Sequence, residues 1–291
     1  MKKKPSQKKL AFSLLELSIV LVVISFLMLT VLKGGQMVSK SKIVGAASLT
    51  RASIVDDIED LALWLETTRA ESLDEEEAST DELVTNWYDL ADTSFTEYQA
   101  QQLTGDNKPS YDKNSINNLP SLYFDGTDHM QVANGFDNNS ESVTIFLVVK
   151  PTTAAGTLNY FLEKSTGSTS FPYALSSNTT FTLSTSDGTS SPSISSTTSR
   201  QSGIVNLVAA RKVKSGDMQL WLDGVEENIA TNDNSSSGAN SQNLTIGCEG
   251  GNTNCFTGNI GEIIIYARAI TDEEKESVEK YLSSKWGIDI D

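Results

Sequence analysis

The chain has 291 residues, 38 acidic against 22 basic, and a formal net charge of −16. Seven of the basic residues lie in the first 40 positions with Glu16 as the only acid there, so the rest carries 37 acidic against 15 basic side chains. A body this acidic repels phosphate backbones, which excludes nucleic-acid binding, and one histidine with two cysteines is too few for a four-ligand Cys/His zinc centre.

The first predicted element is a membrane helix. Residues 12–32 are a run of 21 with one ionisable side chain, Glu16. At 1.5 Å per residue the run spans about 31 Å, enough to cross a hydrocarbon core of about 30 Å. Lys2, Lys3, Lys4, Lys8 and Lys9 precede it and place the N-terminus in the cytoplasm. A carboxylate within such a segment costs about 2.5–3.5 kcal/mol at a helix centre and less toward the interface, so Glu16 needs a partner. Cleavage after Ala11 supplies one, because the new amine on Phe12 sits four residues before Glu16 on a helix and is positive at neutral pH. A secretory signal peptide is disfavoured: the apolar region is long, it contains an acid, and the nearest cluster of small residues, 44–48, lies well beyond it. A plain signal anchor shares the charge asymmetry and stays open.

These residues resemble the type IV prepilins and pseudopilins. The leader MKKKPSQKKLA is short and basic, the mature start FSLLELSIVLVVI opens on Phe12, and Glu16 is its fifth residue; Ala11 stands where the family usually has Gly. The resemblance implies that a prepilin peptidase cuts after Ala11 and methylates Phe12, and that Glu16 serves assembly with other pilin subunits. It also implies a single-pass inner-membrane protein with a cytoplasmic N-terminus before assembly, and a periplasmic or extracellular filament afterwards.

Beyond the membrane, Gly34 and Gly35 predict a bend, each being about 1 kcal/mol worse than Ala in a helix interior. A polar helix then continues with Val44, Ala47, Ile54, Ile58 and Leu61 on one face, a stripe suited to packing on a globular domain. The acidic run 74–77 reads as a solvated loop. From Val84 onward the chain breaks into short apolar or alternating runs, among them VTNWYDL, SLYFDG, HMQV, SVTIFLVV, TFTLST, DMQLWLDG and EIIIYARAI, separated by turns such as Asp125-Gly126, Asp187-Gly188 and Asp223-Gly224. Strands without intervening helices predict a β-sandwich or jelly roll. Within it the Ser/Thr-rich stretch 165–202 reads as exposed loops and edge strands. Cys248 and Cys255, with Gly250 and Gly251 between them, predict a local disulfide. Thr271 and Glu274 form a capping box, and the helix they open folds back through Tyr281, Leu282 and Trp286.

A second resemblance covers Leu61 to the end. LALWLE, NWYDL, LPSLYFDGTDHM, MQLWLDGVE and the closing GEIIIYARAITDEEKESVEKYLSSKWGI are similar, in that order, to the laminin G-like jelly rolls of bacterial surface proteins, which are related in fold to concanavalin A-type lectins and glucanases. The expected fold is mainly β: a leader at 1–11, a long N-terminal helix at 12–60 with its membrane span at 12–32, and a jelly roll at 61–291 closed by a short helix.

Two function classes follow. One is a minor pilin or pseudopilin of a type IV pilus or type II secretion-type filament, whose bulky jelly roll serves adhesion or binds a glycan or surface protein. The other is a membrane-tethered carbohydrate-active enzyme. Retaining glycosidases need two carboxylates about 5.5 Å apart. The strand pattern Glu-x-Asp-x-x-Glu is missing, Glu262 stands alone before an apolar strand, and His129 supplies no triad, so no catalytic residue is assigned. No cofactor is expected. Calcium between Asp125 and Asp128 is the alternative, weighed against an Asp-Gly turn. Trp64, Trp87, Trp221 and Trp286 are assigned to core packing before sugar stacking.

Overall fold

The computed structural model describes residues 14–78, 82–91, 98–136, 142–165, 169–231, 240–250 and 252–290, without the side chains of 29–39 and 231. Ala11 and Phe12 lie outside the described residues. The chain divides into two compact units, residues 1–42 and 43–291.

Helix α1, Leu14–Arg51, begins in the first unit and runs without a break through Gly34 and Gly35. Two glycines cost too little to stop a helix with long flanking turns. From Leu14 to Met28 its large apolar side chains are exposed on every face, 44–87%. Its hydroxyls turn inward, Ser18 Oγ donating to Leu15 O at 2.8 Å and Ser25 Oγ to Leu21 O at 2.7 Å. Among the described residues no helix is long and apolar enough to cross a membrane; the span expected at 12–32 falls partly outside them.

The second unit is a sandwich of two eight-stranded antiparallel sheets. In the first sheet the order is Val225–Thr231, Asp217–Leu222, Asn206–Lys212, Val143–Pro151, Thr257–Tyr266, Leu119–Asp125 and Ser110–Ile116, with Leu61–Glu66 paired to the far half of Thr257–Tyr266. The second runs Ser193–Ser199, Thr180–Asp187, Ser170–Ser177, Asn159–Glu163, Leu244–Ile246, Met130–Val132, Ala100–Gln101 and Asn86–Trp87.

The two sheets read differently because their outer faces differ. Val143–Pro151 and Thr257–Tyr266 are buried almost residue by residue. The inter-sheet core covers one face of these strands, and the last turns of α1 with helix α2, Asp272–Trp286, cover the other. Strands buried on both sides become continuous apolar runs. In the second sheet Thr180–Asp187 alternates buried with half-buried residues, as expected where one face meets water. The stretch 165–202 contributes three of its strands, and the Ser193–Ser199 strand forms its edge. Ser170–Ser177 is interior, because Tyr173 and Leu175 bury beside Phe181 and Leu183.

The amphipathic stripe needs correction. The helix ends at Arg51, its buried face is Ala46, Ala47 and Thr50, and Val44 and Ile54 are 65% and 40% exposed. A 3-10 turn at Val55–Asp57 and a left-handed Asp60, φ 62°, then swing the chain into the Leu61–Glu66 strand. The acidic run is also only half solvent. Glu77 accepts from Thr85 N at 2.8 Å and Asp74 from Tyr88 OH at 3.0 Å, while Glu75 and Glu76 are exposed. The capping box forms as read: Thr271 Oγ1 accepts from Glu274 N, Glu274 Oε2 accepts from Thr271 N, and Gly287 caps the C-terminus at φ 63°. Cys248 and Cys255 are disulfide-bonded, their Cα atoms 4.0 Å apart.

Candidate functional site

Register across four short strands of the second sheet sorts side chains onto two faces. Trp87 pairs with Ala100, Ala100 with Val132 and Val132 with Leu244, a row that lies in the core. The alternate row is polar: Asn86 opposite Gln101, Gln101 opposite Gln131, and Gln131 opposite Thr245. With period-2 alternation, burying the first row turns the second outward. Around Gln101 and Gln131 lies a cleft of about 400 Å³, lined further by Gln99, Gln102, His129 and Asn243, with Leu103 and Ala133 at its apolar side.

The amides position one another. Asn86 Oδ1 accepts from Gln101 Nε2 at 2.8 Å and from Gln99 Nε2 at 3.4 Å, and Asn86 Nδ2 donates to Asp74 Oδ2 at 3.2 Å. Asn243 Nδ2 donates to Gln131 Oε1 at 3.4 Å while Asn243 Oδ1 accepts from Asn134 N at 3.1 Å. Gln102 Nε2 donates to His129 Nε2 at 3.0 Å and to His129 O at 3.1 Å. Burial lowers the His129 pKa against the opposing pull of the Thr127 backbone, so the ring is neutral at pH 7. The buried Gln99 Oε1 has no hydrogen-bond partner among the described residues. Amide groups offer a donor and an acceptor each, no cationic side chain among the described residues lines the cleft, and the arrangement suits an uncharged ligand with many hydroxyls.

None of the four tryptophans offers a stacking face: Trp64, Trp87, Trp221 and Trp286 are 0–5% exposed. Asp125 and Asp128 close a turn. Asp128 Oδ2 accepts from Asp125 N at 2.8 Å, and Asp125 Oδ1 accepts from Thr127 N and Oγ1 at 2.8 and 2.7 Å. Burial pushes the Asp128 carboxyl up to about 7. Among the described residues no group of three or more His, Cys, Asp or Glu is placed to hold a metal ion.

Glu262 does not stand alone. It pairs directly with Glu66 on the neighbouring strand, and Lys285 of α2 bridges them, Nζ lying 2.7 Å from Glu66 Oε2 and 2.8 Å from Glu262 Oε2. Glu262 also accepts from Trp64 Nε1 and Tyr281 OH at 2.7 Å and from Trp286 Nε1 at 2.8 Å. Glu66 accepts from Thr68 N and Oγ1, Arg69 N and Ser72 Oγ. Burial alone would raise the Glu66 pKa, but the Lys285 charge and these donors outweigh it and bring it to about 2. All three side chains are 0–1% exposed, so the cluster is a clasp fastening α2 to the sheet, closed to a substrate. Glu16 is exposed on α1.

Sequence reading passed over the cleft. Its one local signal is the amide run YQAQQL at 98–103, opposite the NW of NWYDL.

The fold has solved counterparts. The binding domain of Paraclostridial mosquitocidal protein 1 superposes with a TM-score of 0.58 at 14% identity, over 80% of this chain and 56% of that one. The botulinum neurotoxin serotype D ligand binding domain, in complex with N-acetylneuraminic acid, gives 0.55 at 14% identity over 81% and 55%. Trypanosoma rangeli sialidase in complex with sialic acid gives 0.54 at 13% identity over 78% and 33%. This chain thus spans about half of the two toxin domains and a third of the sialidase. At these identities the likeness is one of fold. No curated protein matches the chain. A family model, the concanavalin A-like lectin/glucanases superfamily in its laminin G form, matches residues 124–274, more than half of the chain, and the chain belongs to that family.

Proposed function

We propose that the chain is a pilin-like subunit, a minor pilin or pseudopilin, whose jelly roll binds a neutral glycan in the cleft of Gln101, Gln131 and Asn243. The observation that carries the binding role is the uncharged amide lining on the solvated face of the second sheet. Two of the solved counterparts hold N-acetylneuraminic or sialic acid. Here a cleft with no cation among the described residues, in an acidic body, favours neutral sugars over anionic ones. The filament role is supported by α1, apolar on all faces from Leu14 to Met28, with its serine hydroxyls satisfied internally and Glu16 as the one ionisable group there. Inner-membrane anchoring before assembly is part of the same reading. We read a binder rather than a hydrolase, because the paired carboxylates Glu66 and Glu262 are committed to Lys285 and sealed from solvent.

A glycan array run with and without calcium tests the binding role. Neutral glycans should bind in both conditions, and Gln101→Ala with Gln131→Ala should weaken binding about tenfold or more, the loss expected for two or more hydrogen bonds. Binding confined to sialylated glycans, or unaffected by the double variant, would remove the cleft. For the filament role, mass spectrometry of the membrane fraction should show a chain starting at N-methylated Phe12. Glu16→Ala should leave insertion intact, since it deletes a charge from the apolar segment, and lower filament yield. An uncut Met1, or an unchanged filament yield, contradicts it.

A further inference from the structure

The only histidine of the chain stands in the wall of the amide cleft, and its neighbours decide which ring nitrogen carries the proton. Backbone groups hold both ends of the Gln102 amide: Oε1 accepts from Thr104 N at 2.9 Å, and Nε2 donates to His129 O at 3.1 Å. These two bonds forbid the flipped amide. Gln102 therefore presents an N–H to His129 Nε2 at 3.0 Å, and Nε2 must accept it. The neutral ring keeps its proton on Nδ1, on which the Thr127 backbone pulls without completing a hydrogen bond.

A second proton would go on Nε2 and set two donors head to head. His129 and Gln102 are 6% and 9% exposed, too enclosed for water to come between them. The clash falls at the end of a short ladder. Ala100–Gln101 pairs with Met130–Val132 only as Ala100 with Val132 and Gln101 with Gln131, and the bonds from Gln102 to His129 extend that pairing. Without them little holds Gln101 opposite Gln131.

We propose that His129 is an acid-sensitive latch on the cleft: protonating Nε2 breaks the Gln102 clamp, loosens the strand that carries Gln101, and releases a bound neutral glycan. The release rests on the binding role proposed above; the latch does not. Burial keeps the ring below its ordinary 6.5, so the latch is closed at pH 7 and opens as the pH falls through the ring's own titration. The charged groups on the elements around it do not replace this switch. Asp106, in the turn whose Asn107 O accepts from His129 N at 3.0 Å, is exposed, and Lys108 donates to Thr85 Oγ1 at 2.7 Å. Asp125 is exposed and bonded to Thr127. Asp128, bonded to Asp125 N, titrates at about 7 with the opposite sign: its raised pKa makes acid favour the fold.

The test follows the full chain, in non-ionic detergent and with isotope-labelled histidine and glutamine, by NMR from about pH 8 to about pH 4, beside an array of neutral oligosaccharides probed over the same range. At neutral pH the ring should show the Nδ1–H tautomer. Its midpoint should lie below 6.5, and the side-chain amide signals of Gln101, Gln102 and Gln131 should move with it. Oligosaccharides bound at pH 7 should bind about tenfold more weakly below the midpoint, and at saturation should lower it by about one pH unit, the same coupling read from the other side. His129→Gln, which does not titrate, should bring the affinity ratio across that range to about one, and Asp128→Asn should leave the ratio as it is. An Nε2–H tautomer, a midpoint at or above 6.5, or amide signals indifferent to it overturns the latch, whether or not the variants fold. So does affinity constant across the midpoint, or an acid loss that survives His129→Gln. Ring and amide signals as expected, with no neutral oligosaccharide bound at any pH, uphold the latch and remove the glycan reading instead.

Discussion

Lys285→Met is expected to destabilise the sandwich by about 3–5 kcal/mol at neutral pH, the range for removing one partner from a buried ion pair. The substitution keeps the length of the side chain and removes its charge. Glu66 and Glu262 then face each other at 0–1% exposure with no cation between them. The pH dependence should reverse. In the native chain Glu66 titrates at about 2 in place of its ordinary 4.5, so the stability it contributes is complete above 4.5 and is lost as the pH falls toward 2. In the variant the Lys285 charge is gone, burial raises the Glu66 carboxyl above its value in the unfolded chain, and unfolding free energy should climb as the pH is lowered from 7 to 5. Urea unfolding across that range reads both signs. Adding Glu66→Gln and Glu262→Gln to Lys285→Met should recover most of the loss, since neutral amides tolerate one another. An unchanged urea midpoint in Lys285→Met would show that the clasp holds nothing.

The parts of this molecule legible in the sequence are those whose signal is local. Thr271 and Glu274 announce α2 because both halves of the capping box lie within one turn. EIIIYA and TIFLVV announce central strands because burial on both faces leaves no polar alternation. Cys248 and Cys255 meet across a short glycine-bearing loop. The clasp is hidden for the opposite reason. Glu66, Glu262 and Lys285 come from a strand near the start, a strand near the end and a helix, and their juxtaposition depends on sheet order. The cleft is hidden because Asn86–Trp87 and Ala100–Gln101 are strands of two residues each, too short for a periodic signal, and their amides converge only through cross-strand register. Val44 and Ile54 mislead for different reasons: Val44 is helical but turned away from the buried Ala46, Ala47 and Thr50, whereas at Ile54 pairing of Leu61–Glu66 with the Thr257–Tyr266 strand has already drawn the chain out of the helix.

Trp87→Ala is expected to cost about 3–5 kcal/mol and, in whatever fraction still folds, to abolish binding in the amide cleft. Trp87 is fully buried, and its Nε1 donates to Glu66 O at 2.6 Å, so one indole fills the inter-sheet core and ties the edge of the second sheet to the first. Its neighbour Asn86 points the other way and holds Gln101 at 2.8 Å. A two-residue strand has too few ladder bonds to keep its own place, and the core anchor on one face therefore fixes the amide row on the other. Trp87→Phe separates the two contributions. It keeps most of the ring in the core and deletes the indole N–H, so stability should fall by about 1–3 kcal/mol while glycan affinity stays within about threefold. If Trp87→Ala instead folds with native affinity, Asn86 and Gln101 are held by Asp74 and the loop before them, and the short strand follows the cleft rather than building it.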